Sequence, residues 1–260
     1  MQASDQAALI EAIIKIARDA GDLILEVYKS DFEVRGKDDA SPVTAADEQA
    51  EALILKGLRS LSLQFPIIAE EAHAAGDIPQ VDDCFWLVDP LDGTREFVNR
   101  NGEFTVNIAL IENGKPLLGV VLAPVLNQLY AGSRDNGAFM EGDDAVRHDI
   151  HVRKPSAAGL DVLASRSHGD AAALTQLLEG RKINSTIGAG SSLKLCLIAA
   201  GQADIYPRMG RTMEWDIAAG DAVLRAAGGL VQVFDGAPLG YGKPGFENPH
   251  FVACGAEAFF

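Results

Sequence analysis

Two aspartates separated by two residues stand directly after an apolar stretch, in the segment Asp89-Pro90-Leu91-Asp92-Gly93-Thr94. In a continuing strand, residues three apart point to opposite faces, so Asp89 and Asp92 converge only if the chain turns between them. Pro90 restricts φ and ends strand pairing, and Gly93 permits a tight turn. Two carboxylates aimed at one point suit a hard divalent cation such as Mg²⁺, or a pair of cations. A solvated acidic turn is the alternative for Asp-x-x-Asp alone, but the full pattern after an apolar strand favours the metal site.

The elements that must carry this segment are predicted from hydrophobic periodicity. Apolar residues spaced by three to four predict helices over 7–28 and 44–61, and Thr44 and Asp47 have the spacing of a capping box at the start of the second. Asn113-Gly114 and Asn136-Gly137 are hairpin signals, which predict an antiparallel meander. Its strands are expected at 65–69, 85–88, 104–111, 117–123 and 128–131.

The second half of the chain alternates between short strands and helices, which predicts an α/β arrangement. We expect a domain of residues 1–150 that carries the antiparallel sheet and the aspartate motif. A second domain, residues 151–260, would complete the site, with a polar junction at 142–156. The predicted strands are 160–164 and 230–234, and the predicted helices are 174–178, 191–200 and 215–227.

Composition limits the classes of partner. The chain has 260 residues, of which 48% are hydrophobic, so it can bury one large core or two small ones. Its formal net charge of −15 opposes binding to nucleic acids and to anionic membranes. The three cysteines have no paired spacing, which argues against disulfides and a zinc cluster. We expect no signal peptide and no transmembrane segment, and hence a cytoplasmic protein.

Taken together, these motifs resemble the inositol monophosphatase superfamily, which has the pattern Asp-Pro-[Leu/Ile]-Asp-Gly-Thr after a hydrophobic strand. Within it the chain is most similar to the bacterial CysQ branch of 3′(2′),5′-bisphosphate nucleotidases. The resemblance implies a layered α+β fold of the sugar-phosphatase kind, with alternating α, β, α, β and α layers. Beyond the aspartate motif, the matching segments are 41–47, 69–71, 100–107, 165–168, 190–194 and 215–220.

The resemblance also implies a metal site that takes two or three Mg²⁺ ions. Glu70, Asp89 and the main-chain carbonyl of Leu91 would hold one ion, and Asp89, Asp92 and Asp216 a second. Two alternatives stay open for these acids. Glu71 could replace Glu70 as the ligand, and Asp216 could be an acid favoured only by the dipole at a helix start.

The catalytic residues implied by the resemblance are Asp47, Thr94 and Glu70. Asp47 and Thr94 would orient or deprotonate a metal-bound water that attacks phosphorus in line, because a metal lowers the pKa of its water. Gly93 and Thr94 would offer N–H groups to the phosphate. Asp47 could instead serve only as the capping partner of Thr44.

On the substrate side, Gly190 and Ser191 precede an apolar helix that Ser191 could cap, leaving N–H groups for an anion. In the nucleotidase branch, residues matching Ser191, Lys194 and Arg208 contact the second phosphate, and a guanidinium can grip phosphate with two donors. His168 would lie against the nucleobase. Lys194 and His168 could equally be surface residues. The expected substrate contacts also include residues of the metal site, namely Glu70, Leu91, Asp92, Gly93, Thr94 and Asp216.

The favoured function is therefore Mg²⁺-dependent hydrolysis of adenosine 3′,5′-bisphosphate (PAP) to AMP and phosphate, with inhibition by lithium. The nearest alternative is an inositol monophosphatase or another sugar-phosphate phosphatase. A haloacid dehalogenase-type phosphatase would separate its two aspartates by one residue, whereas two residues separate them here. A non-catalytic metal- or nucleotide-binding module is a further alternative. A monomer or a homodimer is expected, and the branch leaves peripheral association with the inner membrane open.

Overall fold

The computed structural model describes residues 1–36, 42–165, 174 and 176–255. Within these residues the chain folds into layers of helices and sheets. The helices fall close to the predicted ranges, and two further short helices lie at the acidic motifs. The helices are α1 (Ala3–Tyr28), α2 (Ala45–Arg59), α3 (Glu70–Ala74), α4 (Thr94–Val98), α5 (Leu193–Ala199) and α6 (Glu214–Ala226).

A seven-stranded sheet forms the first β layer of the described chain, and its strands follow one another in sequence order. Its first two strands are parallel and all other neighbours are antiparallel. The antiparallel meander predicted from the sequence is thus confirmed from the second strand onward, whereas the strand predicted at 65–69 joins the sheet in parallel. The strands are β3 (Ile67–Ala69), β4 (Cys84–Asp92), β5 (Thr105–Glu112), β6 (Lys115–Ala123), β7 (Gln128–Ser133), β8 (Gly137–Glu141) and β9 (Arg147–Asp149). A separate hairpin of β1 (Val34–Gly36) and β2 (Pro42–Thr44) precedes α2.

The two faces of this sheet are covered by different helices. On one face, α1 and α2 pack against the middle strands, and Trp86 and Val88 of β4 contribute to that core. On the other face, α6 lies across β4 to β7, and Phe85 and Leu87 point into that second core. The alternation along β4 therefore assigns each side chain to one core or the other.

A five-stranded sheet forms the next β layer. Its strands are β10 (Leu160–Ser165), β11 (Ile183–Ala189), β12 (Ile205–Arg208), β13 (Leu230–Val233) and β14 (Phe251–Cys254), in the spatial order β11-β10-β12-β14-β13. Leu174 and Leu178 contribute to a small core with Val162, Ile205 and Val252 of this sheet. The layers thus alternate as α, β, α, β and α, which confirms the predicted fold class.

Several sequence expectations need correction or stay open. The strand predicted over 85–88 continues to Asp92, and the junction predicted over 142–156 contains β9, which pairs with β8. The helix predicted over 174–178 lies partly outside the described residues. The two-domain division stays a prediction. No helix in the described ranges has the length and apolar character needed to cross a membrane.

Candidate active site

The two aspartates of the opening motif are brought together by a β-bulge rather than by a turn. Asp89 pairs with Asn107 of β5, and Asp92 pairs with Thr105, so three steps along β4 match two steps along β5. Because residues two apart share a face, the extra residue turns both carboxylates to the face covered by α6. Leu91 points into the opposite core. The turn predicted at Pro90 was wrong, since proline is tolerated at a bulge and pairing resumes beyond it.

A close approach between α6 and the sheet brings Asp216 to these aspartates. A Cβ on Gly119 of β6 would lie 2.7 Å from the main-chain oxygen of Ala219 and one on Gly132 of β7 would lie 3.0 Å from Cα of Val223. The middle of α6 therefore lies directly over the sheet, and its first turn, which carries Asp216, continues from there toward β4 and β5. Asp216 also caps this helix, because its Oδ2 accepts the N–H of Met213 at 2.9 Å. The predicted acid at a helix start is confirmed.

Glu70 is delivered by α3, which starts at this residue. The buried carboxylate of Glu51 in α2 accepts the N–H of Glu71 at 2.7 Å and that of Ala72 at 2.8 Å. These bonds satisfy donors of the first turn, which no residue within the helix can reach. Glu70 lines the central cavity, and Glu71 is absent from its described lining.

The carboxylates oppose one another's ionisation. Burial raises the pKa of Asp89 well above its usual range, and the charges of Glu70, Asp92 and Asp216 raise it further. Burial likewise raises the pKa of Asp216, with Asp92 and Glu70 adding to the shift. The pKa of Asp92 is raised to about 6, mainly by burial, although Lys194 and the N–H of Ser192 act in the opposite direction. Such a cluster is stabilised when a cation replaces the protons.

The donor set fits Mg²⁺, because it consists of hard carboxylate oxygens that open on one cavity. Among the described residues, no three acid, histidine or cysteine side chains already form a closed metal cage. The carboxylates are engaged in other contacts instead, since Asp89 shares a hydrogen bond with Glu70 and its Oδ1 accepts the N–H of Leu91 at 3.0 Å. The role of these side chains as ligands stays a prediction.

Asp47 and Thr94 form a hydrogen-bonded pair at the edge of the cavity. The hydroxyl of Thr94 donates to Oδ1 of Asp47 at 3.1 Å. Oδ2 of Asp47 accepts both the N–H and the hydroxyl of Thr44 at 2.8 Å, which confirms the predicted capping box. Burial raises the pKa of Asp47, although its hydrogen bonds to Thr44 lower it. The helix cap thus orients Asp47 through Oδ2, and Oδ1 still accepts a hydrogen bond from the hydroxyl of Thr94 on the cavity side.

Lys194 is a buried cation, so the surface alternative for this residue is wrong. Its Nζ donates to the main-chain oxygens of Ala189 at 3.2 Å and Ser191 at 2.6 Å, and it lies 5.1 Å from the centre of the Tyr206 ring. Burial lowers the pKa of Lys194 to about 8, although the nearby charge of Asp92 raises it. The expectation that Ser191 caps the following helix is also wrong: α5 begins at Leu193, after Ser192, without a side-chain cap.

Arg208 brings a second cation to the same cavity. Its Nη2 donates to the main-chain oxygen of Arg211 at 3.0 Å. Its Nε is buried and has no hydrogen-bond partner within the described part of the chain. A buried guanidinium donor without a partner is costly, so this atom is suited to an acceptor from a ligand.

All predicted site residues within the described ranges except Asp47 line one cavity of about 390 Å³, and Asp47 reaches it through Thr94. His168 lies outside the described residues. Part of the lining was not predicted from the sequence. Ser165 and Ile217 lie in the matching segments 165–168 and 215–220 but were given no role, and the other residues stand outside those segments and are gathered only by the fold. The missed residues are Arg95, Glu96, Ser165, Leu195, Tyr206, Arg211, Thr212, Met213 and Ile217.

The family of the chain follows from a comparison with known proteins. Residues 5–254 match the model of the inositol monophosphatase family, and the chain belongs to this family. This sets aside the haloacid dehalogenase alternative.

Individual members of this family match nearly the whole chain. The chain is 47% identical over 246 residues to the 3′(2′),5′-bisphosphate nucleotidase CysQ of Escherichia coli K12, covering 94% of this chain and 98% of the relative. It resembles the crystal structure of CysQ from Bacteroides thetaiotaomicron with 35% identity and a TM-score of 0.80, over 96% of this chain and 98% of that one. The inositol monophosphatase TM1415 of Thermotoga maritima has 28% identity and a TM-score of 0.78, over 96% and 92% of the two chains.

Proposed function

We propose that this chain is a Mg²⁺-dependent phosphomonoesterase that hydrolyses adenosine 3′,5′-bisphosphate to AMP and phosphate. The observation that carries the proposal is Arg208, which lines the same cavity as Glu70, Asp89, Asp92 and Asp216 and whose buried Nε has no hydrogen-bond partner among the described residues. The acids would bind the metal ions that assist cleavage of one phosphate, and the guanidinium would bind a second phosphate that is not cleaved. The relatives named as CysQ support the same substrate.

In this proposal Glu70, Asp89 and the carbonyl of Leu91 would hold one Mg²⁺, and Asp89, Asp92 and Asp216 would hold another. When bound, the ions offset negative charge on the phosphoryl oxygens and lower the pKa of water. This part of the proposal is supported by the buried, mutually repelling carboxylates, whose protons a cation would displace.

Thr94 and Asp47 would accept the proton that the attacking water releases. The hydroxyl of Thr94 donates its hydrogen to Oδ1 of Asp47. The Oγ1 atom of Thr94 can therefore accept a proton from a water on the cavity side. The proton of Thr94 can then pass to Asp47, whose raised pKa suits it to receive one. Gly93 and Thr94 would offer main-chain N–H groups to the phosphate.

Phosphate release in the presence of Mg²⁺ tests the substrate. The panel consists of PAP, adenosine 3′-monophosphate, inositol 1-phosphate and fructose 1,6-bisphosphate. We expect PAP to give the highest kcat/KM. A preference for inositol 1-phosphate of more than about tenfold, or about 1.4 kcal/mol, would show that the substrate class is wrong.

Arg208→Ala tests the second-phosphate contact within the same panel. We expect KM for PAP to rise about tenfold or more, since a hydrogen bond to a charged group is worth about 1.5–3 kcal/mol. Hydrolysis of inositol 1-phosphate should change little. Arg208→Lys keeps the charge but lacks the planar guanidinium. Its KM for PAP should lie between that of the unmodified protein and that of the Ala variant. An equal loss on both substrates would show that Arg208 does not bind the second phosphate.

A further inference from the structure

The residues that precede α5 form a tightly held loop, which we call the serine loop (residues 190–192). The N–H of Gly190 donates to Oε2 of Glu103 at 2.8 Å. On the other side of the loop, Lys194 binds the main-chain oxygen of Ser191. Charged side chains therefore hold the backbone of this loop from two directions.

The loop has a conformation that needs such support. Ser191 has a φ of +45°, in the left-handed region that residues other than glycine rarely occupy. Ser191 lines the cavity, and its hydroxyl is buried, with no hydrogen-bond partner among the described residues. A strained backbone and an unsatisfied hydroxyl both cost free energy, and they persist where the surroundings hold them for a ligand. The next N–H, that of Ser192, is directed to the carboxylate of Asp92.

Glu103 is itself held in place by the chain before β5. The side-chain oxygen of Asn101 accepts the N–H of Glu103 at 2.9 Å, and Gly102 has a φ of +80°. The contact with the serine loop is close, because a Cβ on Gly190 would lie 2.7 Å from the main-chain oxygen of Glu103. Since β5 begins at Thr105 and pairs with the strand that carries Asp92, Glu103 connects the metal side of the cavity to the loop.

We propose that Glu103 is a positioning residue for the uncleaved phosphate: it holds the N–H of Gly190 so that the hydroxyl of Ser191 faces that phosphate. The inference rests on the proposed function. Glu103 acts through the serine loop and takes no part in breaking the phosphate ester. Since the N–H that Glu103 holds belongs to Gly190, whereas the one that bonds Asp92 belongs to Ser192, we expect the effect of Glu103 on substrates that carry a second phosphate.

Three variants of Glu103 separate the reach of the side chain from its charge. Glu103→Gln keeps an oxygen that can accept the N–H of Gly190 but removes the charge. Glu103→Asp keeps the charge, which also acts on Lys194, but is too short by one methylene. Glu103→Ala removes both. We expect KM for PAP to rise about tenfold in the Asp and Ala variants, with kcat within about twofold, and the Gln variant to stay near the unmodified protein.

Adenosine 3′-monophosphate is the matched control substrate, because it has the same cleaved phosphate and lacks the second one. Its kcat/KM should be unchanged in all three variants. An equal loss on both substrates, wild-type kinetics in the Ala variant, or a Gln variant that behaves like the Ala variant would each overturn the proposal.

Hydrogen exchange provides a readout that is independent of the substrate. Amides of the serine loop should exchange faster in the Asp and Ala variants than in the Gln variant, whereas those of β4 and α6 should not change. Unchanged exchange in the loop would overturn the proposal even if KM rises. If the unmodified protein does not prefer PAP over adenosine 3′-monophosphate, the proposed function fails, and the exchange comparison still tests the contact between Glu103 and Gly190.

Discussion

The metal side and the substrate side of the cavity are held in different ways. Asp89 lies in β4, between β3 and β5, and is 1% exposed. The serine loop follows β11, an edge strand whose residues are mostly exposed. The position of Asp89 depends on sheet register and on the packing of α6. The serine loop also packs against α6 at Ser192, but its backbone is held in addition by hydrogen bonds with the charged side chains of Glu103 and Lys194. In this chain, the groups proposed to bind metal rest on the core, and the loop proposed to select the substrate is held in addition by hydrogen bonds between charged side chains and its main chain.

This difference predicts that changes on the metal side affect every substrate and that changes on the loop affect only some. Asp89→Asn should have the largest effect, because it removes a carboxylate proposed to contact both ions. We expect kcat on all substrates to fall about a thousandfold or more, since metal ions contribute several kcal/mol to transition-state stabilisation. The melting temperature of the metal-free protein should not fall, because one repelling acid is lost. Glu71→Gln is the matched control and should retain activity, whereas an equal loss would identify Glu71 as a ligand.

Thr94→Val should have the next largest effect. It removes the hydroxyl that donates to Asp47 while nearly keeping the volume of the side chain. General acid–base catalysis contributes about 10²–10⁴-fold, so we expect kcat to fall about a hundredfold on every substrate with little change in KM. Thr94→Ser keeps the hydroxyl and should retain most of the activity. If the Val variant keeps full activity, Asp47 serves only as a helix cap.

Gly119→Ala tests whether the core sets the metal side. The added Cβ would lie 2.7 Å from the main-chain oxygen of Ala219, so α6 must shift. We expect unfolding to become easier by about 1–3 kcal/mol in a denaturant titration, because overpacking forces backbone movement. Mg²⁺ affinity, measured calorimetrically, should fall with it, since Asp216 is on the displaced helix. Gly142→Ala, at a position with nothing within 4 Å of the new Cβ, is the control and should change neither quantity.

The smallest expected effect is a dependence of Mg²⁺ binding on pH. The pKa of Asp92 is raised to about 6, so below that pH a proton competes with the cation and apparent affinity should fall about tenfold per pH unit. For the metal-free protein we expect the opposite trend, in which the stability of the fold decreases as pH rises. A carboxyl whose pKa is raised by folding stabilises the protein at low pH, and this contribution is lost as pH rises through the folded-state pKa. Melting temperatures with EDTA and with Mg²⁺ at pH 5 and pH 7 measure both trends. A stabilisation by Mg²⁺ that is equal at the two pH values would contradict this account.

Local pattern was sufficient for much of the fold. The capping box of Thr44 and Asp47 was predicted because a cap involves only neighbours in sequence. The strands of the meander were predicted because their residues are apolar and joined by short turns. β11 was missed, since an exposed edge strand shows little hydrophobic pattern. β12 was missed because it contains Pro207 and is defined by pairing with β10 and β14.

The sequence by itself determined which chemical groups this protein has, the family to which they point, and the ends of several helices, because these depend on residue type and short spacing. Only the tertiary structure decided that Asp89 and Asp92 share a face, because the bulge appears in their pairing with β5. It also decided that Lys194 is buried and that Glu103 reaches Gly190 across 87 positions of sequence. Such contacts arise where separate layers pack, and no local pattern encodes the position of a residue from another layer.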